Sequence, residues 1–151
     1  QNIGANQPQR AKRGMAYGIA TSLLFGIFMS YFAFFHGDLL SGLFARDPQV
    51  ILAAADYLKA YAIDTLLVSF MFCFVGYFNG CGKTTFVMFQ GLVGAFFVRI
   101  PVSYLASKRI PVTLFKIGLA TPCSTFVQII LCVLYFLWLG RKEKKLAPSH
   151  F

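Results

Sequence analysis

The sequence predicts an all-α integral membrane protein with four transmembrane helices. Of its 151 residues, 58% are hydrophobic and 13% are charged, whereas a soluble domain carries about 25% charged residues. Four apolar segments reach the roughly 20 residues that a helix needs to cross the hydrocarbon core. Too little polar chain remains to build a water-facing surface around four such runs.

The four predicted helices are named A to D in chain order. Helix B is amphipathic at its start and becomes continuously apolar from Ala60 onwards. The helices cover residues 14–36 (A), 57–79 (B), 85–106 (C) and 117–139 (D).

The net charge of +9 reflects basic clusters that flank the apolar runs. This placement is typical of membrane orientation signals, so nucleic acid is not an expected partner. Positive residues are more numerous on the side of both chain ends, which predicts that both ends, including a tail over 146–151, are cytoplasmic. The cytoplasmic set is Arg10, Lys12, Arg13, Lys83, Arg141, Lys142, Lys144 and Lys145, and the outer set is Arg46, Lys59, Lys108, Arg109 and Lys116.

Residues 76–85 read GYFNGCGKTT and superficially resemble a phosphate-binding loop. The Walker pattern requires a glycine five residues before Gly82, where this chain has Tyr77, and it requires a preceding soluble strand. We therefore expect a tight cytoplasmic turn between helices B and C, with Gly80 and Gly82 permitting the reversal.

Asp64 is an ionisable side chain inside helix B, where such groups are costly and often functional. Helical spacing places Tyr61 and Met71 on its face, and Tyr61 is close enough in sequence to reach it. The carboxylate is interpreted either as a proton, cation or substrate contact, or as a structural group tied to a neighbouring helix.

Arg99 in helix C is the second ionisable candidate, and Pro101 behind it predicts a kink. Arg99 either belongs to the substrate or cation pathway or serves as an interface anchor and interhelical contact. Gln90 is a further pathway candidate, and close helix packing is expected at the pairs Gly14 with Gly18 and Gly91 with Ala95. The remaining polar residues of these helices are expected to bond between helices: Ser69, Ser103, Ser124, Thr125 and Gln128.

The four cysteines form no C-x-x-C pair and have no histidine cluster beside them. No metal site, disulfide framework or other cofactor is predicted.

Three motifs resemble the multidrug and toxic compound extrusion (MATE) family. The opening QNIGANQPQRAKRG is similar to that family's Q-N-x-G-A…R signature, FVGYFNGCGKTTFVM to its turn between the tenth and eleventh helices, and GAFFVRIPVSYL to its eleventh helix. The first motif is carried by Gln1, Asn2, Gly4, Ala5 and Arg10.

The resemblance implies that residues 1–145 are part of the C-terminal six-helix lobe of a twelve-helix antiporter. Helices A to D would be the ninth to twelfth helices, and the N-terminal lobe and two preceding helices would be partners in a larger protein. The implied function is export of drug-like, amphiphilic and often cationic compounds across the plasma membrane by alternating access, without catalysis. The resemblance leaves the coupling ion open between H⁺ and Na⁺. The sodium-coupled branch of the family carries a cation-binding acid at the position that falls near Val68 or Ser69 here, whereas the acid of this chain, Asp64, lies about one turn away.

Three other functions are the alternatives. A lipid-linked oligosaccharide flippase of the same superfamily is expected to line its cavity with several cations for pyrophosphate, and helices A to D offer Arg99. A non-transporting membrane scaffold or a nucleotide-binding protein would not explain the three motifs.

Overall fold

The structure, a computed structural model, describes residues 2–5, 7–108 and 113–146, with the backbone alone for 143–146. All regular secondary structure in these ranges is helical. The elements are α1 (Pro8–Phe35), α2 (Gly37–Gly42), α3 (Pro48–Gly80), α4 (Thr84–Leu92), a π-helical segment (Val93–Arg99), α5 (Ile100–Lys108), α6 (Leu114–Gly118) and α7 (Ala120–Leu146). Gln1, Arg109 and residues 147–151 of the predicted tail lie outside the described residues.

Within the described residues, four spans are long and apolar enough to cross a membrane, and each overlaps one predicted helix. The spans are Pro8–Phe35, Pro48–Gly80, Thr84–Lys108 and Leu114–Lys142. The first two begin earlier than their apolar runs because each starts with a proline in the first helical turn, where the missing N–H costs nothing. Asp47 also caps α3, since its side chain accepts the Gln49 amide at 2.9 Å.

The third span is interrupted by the π-helical segment Val93–Arg99, which the sequence did not predict. The Ile100 amide donates to the Ala95 carbonyl, five residues back. Pro101 follows directly; it has no N–H, and its ring would press on the carbonyl of Phe97 in a regular helix. Where a kink was predicted at Pro101, the structure therefore has the π-helical segment directly before this proline.

The fourth span is also discontinuous, although a single helix over 117–139 was predicted. The short α6 ends at Gly118, Leu119 forms a turn, and α7 begins at Ala120. Pro122 explains the break, because it cannot donate to the Gly118 carbonyl four residues earlier.

Helix α3 lies at the centre of the bundle and contacts α1, α2, α4, α6 and α7. Towards its C-terminal end an aromatic cluster forms around Phe74, Tyr77, Phe78 and Cys132. Phe136 of α7 packs edge-on against Phe74 with ring centroids 5.7 Å apart. The rings thus join α3 to α7 at this end.

Small residues allow α1 to approach α3 closely. A Cβ on Gly26 would lie 2.7 Å from the Ser69 hydroxyl oxygen, and Ser30 donates to the Ala62 carbonyl at 2.7 Å. Of the predicted packing positions, Gly18 faces α3, since an added Cβ would lie 3.8 Å from the Cys73 sulfur, whereas at Gly14 and Gly91 it would meet no atom within 4 Å. The close contact on the third span is instead made by Gly94, whose helix face is set by the π-helical segment.

The beginning of α1, the end of α3 and the end of α7 meet at one end of the bundle. Ala11 and Met15 of α1 pack on the aromatic cluster, and Lys12 Nζ lies 5.9 Å from the centroid of the Phe136 ring. The basic residues at the start of α1 and the end of α7 therefore share one end of the molecule, the end that the charge pattern predicts to be cytoplasmic.

Candidate functional site

The turn at 81–83 is a glycine-capped helix end. Gly82 has a φ of 71°, a conformation that favours glycine. Its amide donates to the Asn79 carbonyl at 3.1 Å, and the Lys83 amide donates to the Phe78 carbonyl at 2.8 Å. This is the Schellman arrangement, and it uses the amides that a phosphate loop would need. The predicted turn residue Gly80 is the last residue of α3, so the reversal depends on Gly82.

The N-terminal motif lies beside the ends of α1 and α3. The Asn2 carbonyl accepts the Gln7 amide at 2.9 Å, and Gly4 and Ala5 are exposed turn residues between them. Arg10 donates to the Gln7 side-chain oxygen at 3.4 Å on the surface. Asn2 also lines a hollow of about 240 Å³ together with Gly76 and Gly80 of α3.

Asp64 is the centre of a polar network between α3 and α7. Asp64 is 5% exposed, and one of its carboxylate oxygens accepts a hydrogen bond from the Thr125 hydroxyl at 2.6 Å. The Thr125 hydroxyl oxygen also lies 3.2 Å from the Thr121 carbonyl oxygen. A buried polar side chain of the fourth span thus faces the carboxylate of the second span.

Arg99 connects the third span to the same network. Its Nη2 donates to the Tyr61 hydroxyl oxygen at 3.1 Å and lies 3.2 Å from the Thr121 hydroxyl oxygen. Tyr61 was expected to reach Asp64, but in the structure its hydroxyl accepts from Arg99. The Arg99 side chain therefore binds two helices, as the interhelical interpretation expects, and does not extend past the end of its own helix.

The π-helical segment is held against α7 by one further hydrogen bond, which a second bond within α7 supports. Ser124 donates to the Gly94 carbonyl at 2.8 Å, and Gln128 Nε2 donates to the Ser124 hydroxyl at 3.3 Å. A Cβ on Gly94 would overlap the Gln128 side chain. Sequence reasoning missed Thr121, whose spacing from Ser124, Thr125 and Gln128 already marks one polar face of a helix.

The structure brings Asp64, Tyr61 and Arg99 together and leaves Met71 and Gln90 apart from them. Met71 is buried seven residues further along α3, about 10 Å at 1.5 Å per residue. Gln90 is 3% exposed, and among the described residues its side-chain oxygen has no hydrogen-bond partner. Neither residue shares the network.

A groove of about 540 Å³ opens between α1 and α3 beside the carboxylate. Tyr61 and Asp64 stand at one end and Phe72 and Cys73 at the other, with Val68 between them. Its wall is therefore largely apolar with one acidic group. Among the described residues no three His, Cys, Asp or Glu side chains group as metal ligands.

Comparison with known families identifies the chain. The model of the family MatE matches residues 1–105, more than two thirds of the sequence. No curated protein and no solved structure matches it. The match contains all three sequence motifs, whereas the assignment of residues 106–145 to the same lobe stays a prediction. The chain therefore belongs to the MatE family of membrane efflux transporters.

Proposed function

We propose that this chain forms part of a proton- or sodium-coupled antiporter that exports amphiphilic, often cationic compounds by alternating access. A second six-helix lobe and two further helices of the same lobe are its proposed partners in the plasma membrane, with both chain ends cytoplasmic. Family membership supports efflux. The proposed cation chemistry rests on the burial of Asp64 beside an apolar groove.

The groove suits a cation with an apolar body. A carboxylate inside a membrane protein is costly and faces the protein interior or a hydrated cavity. Asp64 would attract the positive charge, while Val68 and the rings of Tyr61 and Phe72 would contact the apolar part. A proton or Na⁺ would compete for the same carboxylate, which is the requirement for exchange.

The flippase alternative fits the site less well. A pyrophosphate group would need several free cations, and the Arg99 guanidinium is already bonded to Tyr61 and Thr121. The acidic group in the groove would repel a phosphate. We therefore favour the export of cations.

The test compares Asp64→Asn with Asp56→Asn in the full-length transporter. Asp56 is the matched control, because it lies two turns earlier on α3, is exposed and pairs with Lys59 at 3.0 Å. We expect Asp64→Asn to lower export of cationic compounds about tenfold or more while neutral compounds are spared, since a nearby unit charge is worth a few kcal/mol. Asp56→Asn should transport normally.

The pH profile of efflux separates the possible uses of the carboxylate. If protons couple through Asp64, the Asn variant should lose the pH dependence. The charged and titratable groups near Asp64 are Arg99 and Tyr61, and the Tyr57 ring lies tilted against the Tyr61 ring with centroids 5.2 Å apart. A purely structural carboxylate would lower yield or thermal stability and leave the remaining activity with its normal profile. Normal folding, export and pH response in Asp64→Asn would refute the proposal.

A further inference from the structure

Arg99 and Asp64 carry opposite charges and lie near each other in the bundle, but each is hydrogen-bonded to other side chains. Arg99 bonds to Tyr61, three residues before Asp64 on α3, and to Thr121, four residues before Thr125 on α7. Thr125 in turn bonds to Asp64. On both helices the two groups are thus about one turn apart, roughly 5.4 Å along the axis. In the described part of the chain, no ion pair joins Arg99 directly to Asp64.

We infer that Arg99 is a tethered cation that weakens the hold of Asp64 on the exported cation and so permits its release. This inference rests on the proposed function, because it requires Asp64 to be the cation contact. With the groove empty, the two charges offset each other. A cation that enters beside Asp64 also meets the positive field of Arg99, so the occupied site carries a net positive charge. Asp64 is buried, whereas Arg99 is exposed on the surface of the described helices.

The tethers are essential to this role. A free guanidinium one turn away would bond the carboxylate in a bidentate pair and close the site to other cations. Tyr61 and Thr121 both accept from Nη2 and so hold the guanidinium about one turn away from the carboxylate, and Thr125 orients the carboxylate separately. The site therefore keeps a carboxylate that binds cations, but binds them weakly enough to let them go.

A purely structural Arg99 would join helices without acting on the cation. Both roles predict some loss of thermal stability when Arg99 is changed, so stability does not distinguish them. The affinity for a cation does distinguish them, because removing a structural contact would leave that affinity unchanged or lower it. Removing a repulsive charge would raise it.

The experiment measures binding of tetraphenylphosphonium to the purified full-length transporter by calorimetry, with neutral triphenylphosphine oxide as a matched probe. Arg99→Gln should bind the cation roughly tenfold more tightly and the neutral probe as before, since a unit charge about one turn away near a protein surface is worth on the order of that factor. Arg99→Lys keeps the charge and should stay near the wild-type affinity. Lys59→Gln, which also replaces a cation by a neutral side chain but on the exposed end of α3, should alter neither.

A second variant keeps the test decisive if Arg99→Gln does not fold. Tyr61→Phe combined with Thr121→Val removes both tethers with little change in shape, so the freed guanidinium should pair with Asp64 and lower the affinity for tetraphenylphosphonium. Unchanged or higher affinity in that variant, or unchanged or lower affinity in a folded Arg99→Gln, would overturn the inference. Normal cation binding by Asp64→Asn would instead overturn the proposed function itself.

Discussion

The two halves of the α3–α7 contact are built from different chemistry. Near the end of α3, Phe74 and Phe78 pack with aromatic rings of α7, and Phe78 with Cys132 has no exposed surface. Closer to the N-terminal end of α3, the contact consists of hydrogen bonds that Thr125 and Arg99 donate to side chains of α3. Packed rings fix one arrangement, whereas a polar network can exchange partners. The aromatic half therefore supplies the stable base of the contact, and the polar half contains the carboxylate beside which we propose that a cation enters.

The aromatic half should carry the largest stability effect. Phe78→Ala should destabilise the protein by about 3 kcal/mol, because it leaves a cavity in the packed cluster. This value is the low end for such truncations in soluble cores, since in a membrane the ring stays in apolar surroundings when the protein unfolds. Thermal denaturation in detergent measures this. Phe97→Ala is the control: Phe97 is 77% exposed and should change stability little. Equal effects of the two substitutions would show that the aromatic cluster is not the base of the bundle.

The polar half should respond with a smaller loss of stability and a larger loss of function. Thr125→Val keeps the shape of the side chain and leaves the buried Asp64 oxygen without its 2.6 Å donor, a loss of about 1–3 kcal/mol. Transport of cations should change as well, because the carboxylate loses its orientation. Thr85→Val at the exposed start of α4 controls for the substitution itself. A Thr125→Val protein with wild-type stability and export would remove the polar half from the mechanism.

The sequence was a good guide to the spans and a poorer guide to the irregular backbone within them. Apolar runs reveal where a chain crosses a membrane, but Pro48 starts α3 well before its apolar part. The π-helical segment depends on contacts from another helix, since Ser124 binds the carbonyl of Gly94. The helix propensities of the residues within the span do not predict a contact with another helix.

The candidate site was predictable in its residues and not in its pairings. Asp64 and Arg99 are conspicuous because charges are rare inside spans. Their partners depend on how α3 and α7 rotate against each other, which a single sequence does not reveal. Tyr61 illustrates this: a spacing of three residues favours Asp64, yet the bundle places Arg99 within 3.1 Å of its hydroxyl.

The smallest expected effect is at the turn between α3 and α4, which is predicted to be cytoplasmic and lies outside both halves. Lys83→Ala in the full-length transporter should leave ATP binding undetectable, as in the wild type, because the amides of Gly82 and Lys83 are occupied by the α3 cap. The cap uses the Lys83 backbone, so the loss of its side chain should change stability by no more than about 0.5 kcal/mol. Saturable ATP binding that disappears in Lys83→Ala would contradict this.

The same variant tests the orientation that the charge pattern predicts. In a background without the four native cysteines, Phe44→Cys should react with an impermeant thiol reagent from outside, and Thr84→Cys from the cytoplasm alone. Phe44 is 92% exposed and suits labelling, whereas the nearby Ser41 is buried. Lys83→Ala should not alter this pattern, because Arg10, Arg13 and Lys142 keep positive charge at the same end of the bundle. Labelling of Thr84→Cys from outside would show that the topology is the inverse of the predicted one. If only the Lys83→Ala protein were inverted, Lys83 would determine the orientation, and the basic clusters on α1 and α7 would not.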